Sequence, residues 1–235
     1  MVLAGFNDSL VDGVFKKLLH KWTDLQKEKD RRIFVFLAAP PGAGKSTLAQ
    51  FLEGLSQTTE GVTPLQAVGM DGFHYKQEYL NTHYIPGSNQ LLKTIKGAPE
   101  TFDCAGLREK IIESRDKDIL WPVYSRILHD VEDDKLKVEG KIILLEGNYL
   151  LLNEDPWTSL HELCDDTLFI NADPDILKKR LVERKANNPG TDLEKATEHF
   201  MKVDRVNGLR VINNSIKANT TLYMNENEQL YLKDE

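Results

Sequence analysis

Lys45 and Ser46 close the stretch Ala38-Ala39-Pro40-Pro41-Gly42-Ala43-Gly44-Lys45-Ser46-Thr47, directly after the apolar run Ile33-Phe34-Val35-Phe36-Leu37. A small-residue loop ending in Lys-Ser, between a buried strand and a helix, reads as a phosphate cradle. Backbone N–H groups around Gly42 and Gly44 can face phosphates only if no side chain intrudes. Lys45 can reach the outer phosphates and Ser46 can ligate Mg²⁺. Pro41, Gly42, Ala43, Gly44, Lys45, Ser46 and Thr47 are therefore the expected nucleotide contacts, with a nucleoside triphosphate and Mg²⁺ as the implied ligands. The helix that follows adds its N-terminal dipole to the same anion site. One position departs from the usual pattern: Ala39 stands where a Gly is expected, which works if the backbone there keeps a negative φ. The competing reading is an ordinary strand-to-helix turn. The apolar helix beyond the loop (Leu48, Ala49, Phe51, Leu52, Leu55) favours the cradle.

Three carboxylates sit just beyond predicted strands, where ligands of an open parallel sheet collect. Asp71 follows the strand predicted over 64–70, Glu146 closes the run Ile142-Ile143-Leu144-Leu145, and Asp173 precedes Pro174. Asp173 reads as a helix cap. A carboxylate opposite a γ-phosphate can accept the proton of an attacking hydroxyl or help position Mg²⁺ and its waters. Asp71 suits the first task and Glu146 the second. A turn at Asp71-Gly72 and a strand terminator at Glu146-Gly147 are the plainer alternatives. Beyond Pro174, Arg180 and Arg184 share one helix face, while Leu177 and Leu181 hold another for packing. With the flexible tip at 186–190, this suits a lid over about 178–192 whose arginines cover a transferring phosphate. A solvated basic helix is the alternative. Tyr124, Arg126 and His74 are candidates to line an acceptor pocket, as is His129, although a single His is more often structural. No His/Cys/carboxylate set has transition-metal spacing.

The elements that must position these residues follow from periodicity. Residues 8–29 read as an amphipathic helix through Leu10, Val14, Leu18, Trp22 and Leu25, packed on the sheet edge or against a partner. Strands are expected at 33–37, 64–70, 141–147 and 167–170. A short one at 119–124 is interrupted by Pro122. Helices are expected at 107–114, from Pro174, and over about 192–213. Residues 220–223 and 230–232 form a small C-terminal hairpin. Residues 76–102 are rich in Gly, Pro, Asn and Tyr and read as a loop-dominated insert. Strands alternating with helices imply an α/β domain with a parallel sheet flanked by helices: residues 1–30 as a helix packed on the core, 31–235 as a single domain. A chain of 235 residues is long enough for one substantial core. Its net charge of −7 disfavours nonspecific binding to nucleic acid or to an anionic membrane. Cys104 and Cys164, far apart, read as reduced thiols of a cytoplasmic protein.

Taken together these residues resemble the P-loop small-molecule kinases of the phosphoribulokinase, uridine kinase and bacterial pantothenate kinase group, over about 32–224. Met70-Asp71-Gly72-Phe73-His74 is similar to the segment that carries that group's catalytic aspartate. Gly97-Ala98-Pro99-Glu100-Thr101-Phe102-Asp103 is similar to its Pro-Glu-…-Asp segment, Pro122-Val123-Tyr124-Ser125 to its acceptor-side turn, and Leu145-Glu146-Gly147 to its second carboxylate strand. Arg180 and Arg184 fall where its lid arginines lie. The nearest likeness is to a bacterial branch of nucleoside/nucleotide kinase-like proteins, some labelled sugar kinases. The resemblance implies ATP- and Mg²⁺-dependent phosphorylation of a hydroxyl on a small metabolite, with a homodimer as one option. The acceptor pockets match only in part, so sugar, nucleoside and pantothenate-like acceptors all stay open. A nucleotide-dependent ATPase or switch acting on a protein partner is the second reading. The absence of an Asn-Lys-x-Asp guanine-reading motif weighs against it. Asn207, Arg210 and Asn214 are positioned to approach the base.

Overall fold

A computed structural model describes residues 6–187 and 190–233. Its centre is a six-stranded sheet. β1 (Ile33–Ala38), β2 (Leu65–Gly69), β5 (Ile142–Gly147), β6 (Asp166–Asn171) and β7 (Thr220–Met224) run parallel, in the order β2-β5-β1-β6-β7. β8 (Leu230–Leu232) turns back antiparallel on β7 as the expected hairpin.

β1 shows why its sequence is an unbroken apolar run. Ile33, Val35 and Leu37 enter one core, and Phe34, Phe36 and Ala38 enter the other. A central parallel strand is covered on both faces, so neither parity can be polar. The first core packs under α1 (residues 8–29), α2 (Lys45–Thr58) and α5 (Pro174–Ala186), with Phe15, Trp22, Leu48, Leu52 and Leu177 fully or nearly buried. The second packs under α4 (Cys104–Ser114) and the segment that follows β5, with Trp121, Tyr149 and Trp157 at its centre. The expected helix over 192–213 is a continuous helical run, α6 (residues 193–214), with a π-helical turn at Phe200–Asp204.

α1 lies across the sheet face rather than at its edge, against α2 and the central strands β1 and β5. Its Trp22 indole donates to Asp166 Oδ2 at 2.6 Å, and Lys21 pairs with the same oxygen at 2.8 Å. Asn219 donates to Asp166 Oδ1 at 2.6 Å. Asp165 next to it takes Arg31, Lys29 and Arg115. These buried carboxylates join α1 to the start of β6, opposite the end where the loops gather.

The structure departs from the sequence-based expectation at 119–138. β3 (Ile119–Ser125) and β4 (Asp130–Val138) form a separate two-stranded antiparallel ribbon. β4 reads Asp-Val-Glu-Asp-Asp-Lys-Leu-Lys-Val. It is largely solvated, so it lacks the apolar run that marks a buried strand. Pro122 sits inside β3, where the register shifts between Trp121 and Val123. A bulge tolerates the missing N–H. The insert holds a short helix, α3 (Gln77–Thr82), and two 3₁₀ turns. Among the described residues no helix is long and apolar enough to cross a membrane.

Candidate active site

The loops after β1, β2 and β5, the end of the β3–β4 ribbon and helices α5 and α6 line one cleft of about 810 Å³. The loop after β1 turns through Gly42 (φ +82°) and Gly44 (φ +83°), a conformation that costs an L side chain about 1–2 kcal/mol. A Cβ on Gly42 would also meet the Leu181 side chain at 2.8 Å, whereas one on Gly44 would meet nothing within 4 Å. Gly42 therefore admits the packing of α5 on the loop, and Gly44 leaves an open face. Ala39 is buried and keeps a negative φ, so the departure from Gly costs nothing there. Pro41, Gly42, Gly44, Lys45, Ser46 and Thr47 line the cleft. Ala43 does not; its side chain is buried in the core beneath.

Glu146 stands behind Lys45 and Ser46. Ser46 Oγ donates to Glu146 Oε1 at 2.7 Å, and Lys45 Nζ lies 3.7 Å from Oε2. Oε2 is buried with no hydrogen-bond partner. Burial raises the Glu146 carboxyl. The Lys45 charge opposes this, but at 3.7 Å without a hydrogen bond it does not offset the desolvation.

Asp71 occupies a 3₁₀ turn, Met70–Phe73, at the end of β2. The ribbon holds that turn from one side. Trp121, fully buried, donates its indole N–H to the Gly69 carbonyl at 2.9 Å and packs edge-on against Phe73 at 4.9 Å. Gly72 lies so close to the Pro122 backbone that a Cβ would fall 2.0 Å from the Pro122 carbonyl oxygen. Three residues beyond Asp71, the His74 ring stacks on Phe102 at 3.8 Å, and Tyr124 lies 5.3 Å away. Burial pushes the His74 imidazole down to about 4 against the opposing pull of Asp71.

Arg126, at the end of the ribbon, and Arg180 and Arg184, on α5, line the same cleft. Desolvation and then the nearby Arg126 charge depress Arg184. Arg180 Nε lies 3.4 Å from Glu228 in the β7–β8 turn. Positions 188–189 of the expected lid tip lie outside the described residues. Asp173 caps α5, accepting from the Asp175 N–H at 2.8 Å. Of the three residues expected near the base, Asn207 lines the cleft. Arg210 and Asn214 are drawn instead to Glu154, at 2.5 Å and 2.7 Å.

Sequence reasoning passed over several lining residues. Gln77, Lys93 and Lys96 come from the insert, Asn148 from the loop after β5, and Asp204 from the π-helical turn of α6. Asn148 Oδ1 is buried without a partner. Lys96 and Asn148 adjoin the segments 97–103 and 145–147, and Asp204 lies within the helix expected over 192–213, but nothing in their local pattern aims them at a cleft. Among the described residues no group of three or more His, Cys, Asp or Glu could hold a metal. A divalent ion beside Ser46 and Glu146 would draw its remaining ligands from phosphate oxygens and water.

No model of a known protein family matches the chain. Individual proteins do. YggC of Escherichia coli K12, described as uncharacterized, is 38% identical over 226 residues, covering 96% of this chain and 92% of that protein. The "putative uridine kinase C227.14" of Schizosaccharomyces pombe is 29% identical over 228 residues, covering 93% and 92%. Among solved structures, a "putative fructose transport system kinase" from Silicibacter sp. TM1040 superposes with a TM-score of 0.78 at 26% identity, covering 88% of this chain and 98% of that one. With the glycine-lined loop, its Lys-Ser pair and the parallel sheet already described, these likenesses establish that the chain belongs to the P-loop kinases, in one family with YggC.

Proposed function

We propose that the protein transfers the γ-phosphoryl group of ATP, with Mg²⁺, to a hydroxyl of a small metabolite such as a sugar, a nucleoside or a pantothenate-like alcohol. The observation that carries this reading is convergence: Lys45, Ser46, Asp71, Arg126, Arg180 and Arg184, from four separate loops and helices, line one concave cleft.

The residues present fit both the nucleotide and the metal. Gly44 leaves open space where phosphates would lie, and α2 presents its unpaired N–H groups there. The partnerless Glu146 Oε2, beside the Ser46 hydroxyl, suits a carboxylate that holds a metal or its water. Mg²⁺ bound at Ser46 and Glu146 would supply charge neutralisation for the β- and γ-phosphates. Residues 41–47 bind the phosphates, with Lys45 on the outer ones. Asp71 orients the acceptor hydroxyl and takes its proton as the acceptor oxygen bonds to γ-phosphorus. The bond from γ-phosphorus to the bridging oxygen breaks, and ADP leaves with the electron pair. His74, Tyr124 and Arg126 line the acceptor side. Arg180 and Arg184 stabilise charge on the moving group, carried by a lid over about 178–192. The transition state is loose, so positioning and electrostatics supply most of the rate. In this reading residues 31–235 form a single kinase domain, with α1 as its N-terminal cover.

The test is ADP release from Mg·ATP against sugars, sugar phosphates, nucleosides and pantothenate, with mass detection of products. Lys45→Ala and Asp71→Asn run alongside. A product heavier by one phosphoryl group, lost in both variants, supports the reading. Tight ATP binding with no phosphorylated product from any acceptor refutes it.

A further inference from the structure

The cleft is basic in an acidic protein. The chain carries a net charge of −7, yet seven Lys and Arg line the cleft against two Asp, Asp71 and Asp204. Part of that excess has an evident use. Lys45, Arg180, Arg184 and Lys185 come from the phosphate loop and α5, and face the side where a triphosphate would lie. Lys93, Lys96 and Arg126 do not belong to that group. They come from the insert and the end of the β3–β4 ribbon, on the β2 side of the sheet where Asp71 stands.

This second group is built as a site rather than scattered. Lys96 Nζ donates to Tyr124 Oη at 2.9 Å and to the His129 carbonyl at 3.0 Å. Gln77 Nε2 donates to the same carbonyl at 2.8 Å. The insert and the β3–β4 hairpin therefore meet at this ammonium and at the His129 carbonyl. Lys96 is half-buried, and both its partners are neutral oxygens. Burial lowers its affinity for its proton, which the Asp130 charge only partly restores. Asp130 Oδ1 accepts from the Gln77 and Val131 backbone N–H groups. Among the described residues neither Lys93, Lys96 nor Arg126 has a carboxylate within 4.0 Å. A cation held partly out of water, hydrogen-bonded to neutral oxygens and only weakly compensated by a more distant carboxylate, gains from an anion that arrives to meet it.

The path from this group to the proposed transfer point is short. Lys96 touches Tyr124, Tyr124 lies 5.3 Å from His74, and His74 is three residues from Asp71. We propose that the acceptor is a hydroxylated metabolite already carrying an anionic group, a carboxylate or a phosphate, which Lys96 binds with help from Lys93 and Arg126 while its hydroxyl faces Asp71. The inference rests on the kinase reading and narrows its acceptor. Lys96 is then a specificity-determining residue.

Two experiments test it. The first compares acceptors matched except for the anion, glycerate with glycerol and hexose monophosphates with the free hexoses, under Mg·ATP with mass detection. The anionic member of a pair is expected to be the better substrate by about 100-fold in kcat/KM. Whether the carboxylate or the phosphate series responds names the anion. Lys96→Met should then raise the KM for that acceptor about 10- to 100-fold, the range of a lost charge-assisted hydrogen bond, with the KM for ATP changed less than about twofold. A neutral acceptor used as well as its anionic partner, or a Lys96→Met enzyme with unchanged acceptor KM, overturns the proposal and leaves the kinase reading standing. The second experiment needs no turnover. Inorganic phosphate and glycolate are titrated calorimetrically into wild type and Lys96→Met, each saturated with Mg·ADP. One of the anions should bind wild type and bind the variant at least about tenfold more weakly. Binding of neither anion to wild type, or equal binding to both proteins, overturns the proposal. Absence of product from every acceptor, with Mg·ATP bound, removes instead the kinase reading on which it rests.

Discussion

Replacing Gly72 by Ala tests whether the ribbon positions Asp71. The added Cβ would fall 2.0 Å from the Pro122 carbonyl oxygen, 2.4 Å from its carbon and 2.9 Å from the Val123 nitrogen. All three are backbone atoms, so no side chain can swing away. Ordinary contact starts at 3.4 Å, so turn and ribbon must part by about 1.4 Å, the difference between 3.4 and 2.0. The ribbon is poorly able to yield. Trp121 is fully buried and hydrogen-bonded to Gly69, and β3 is paired with β4 on both sides of the bulge at Pro122. The turn therefore moves and carries Asp71 with it. A misplacement of about 1 Å costs about 10²-fold in rate, so kcat should fall about 100-fold or more. Overpacking of this kind costs about 1–3 kcal/mol, which lowers Tm by about 2–12 °C in a chain this size. The phosphate loop comes from β1, so the Kd for Mg·ATP should change less than about twofold, within ordinary additivity for separate sites. The assay pairs kcat on the acceptor found in the panel with calorimetric Kd and thermal melting. Gly13→Ala serves as the control, since a Cβ there meets nothing within 4 Å. A Gly72→Ala enzyme with kcat within threefold of wild type and an unchanged Tm would sink the claim that close approach to Pro122 sets the Asp71 geometry.

The remaining predictions concern other parts of the site and core. Asp71→Asn should keep Mg·ATP affinity while lowering turnover by about 10²- to 10⁴-fold, the range for a general base; normal turnover would reassign the proton acceptor. Gly42→Ala, strained at φ +82° and driven against Leu181, should weaken Mg·ATP binding about tenfold or more by titration; unaltered affinity would mean the loop relaxes at no cost. Hydrogen bonds from Lys21, Asn219 and Trp22 hold the Asp166 carboxyl below its ordinary value, against the burial that would raise it. Asp166→Ala, which leaves those donors unpaired in the interior, should therefore cost about 3–5 kcal/mol, or roughly 6–20 °C in Tm; a drop under 2 °C would show the node to be dispensable. His74 stays neutral in the fold down to about 4, while in the unfolded chain it takes a proton near 6.5. The unfolded state thus binds more protons across that window, and stability is lost as pH falls from about 6.5 towards 4, by on the order of 3 kcal/mol. His74→Phe should flatten that part of the Tm–pH curve relative to wild type, and identical slopes would count against the buried neutral imidazole.

Much of this protein was legible in one dimension because the signals are local. The phosphate loop is a run of ten residues whose function needs only small side chains followed by Lys-Ser. β1 and β5 announce themselves as unbroken apolar runs because both faces are covered. The spacing of Leu10, Leu18 and Trp22 displays the face of α1. Asp71 and Glu146 could be singled out because they end predicted strands, where a parallel sheet collects its ligands. Tertiary structure alone decided what depends on residues far apart in sequence. β4 has too polar a pattern to be read as a strand and exists by pairing with β3. The glycine at 72 is explained by the Pro122 carbonyl fifty residues on. α1 lies on the sheet face because Trp22 and Lys21 find Asp166, 144 and 145 residues away. Lys96 gains meaning only when Tyr124 and the His129 carbonyl are folded against it. Backbone torsions and side-chain periodicity are written residue by residue. Desolvation and charge pairing belong to neighbours that the chain acquires only by folding.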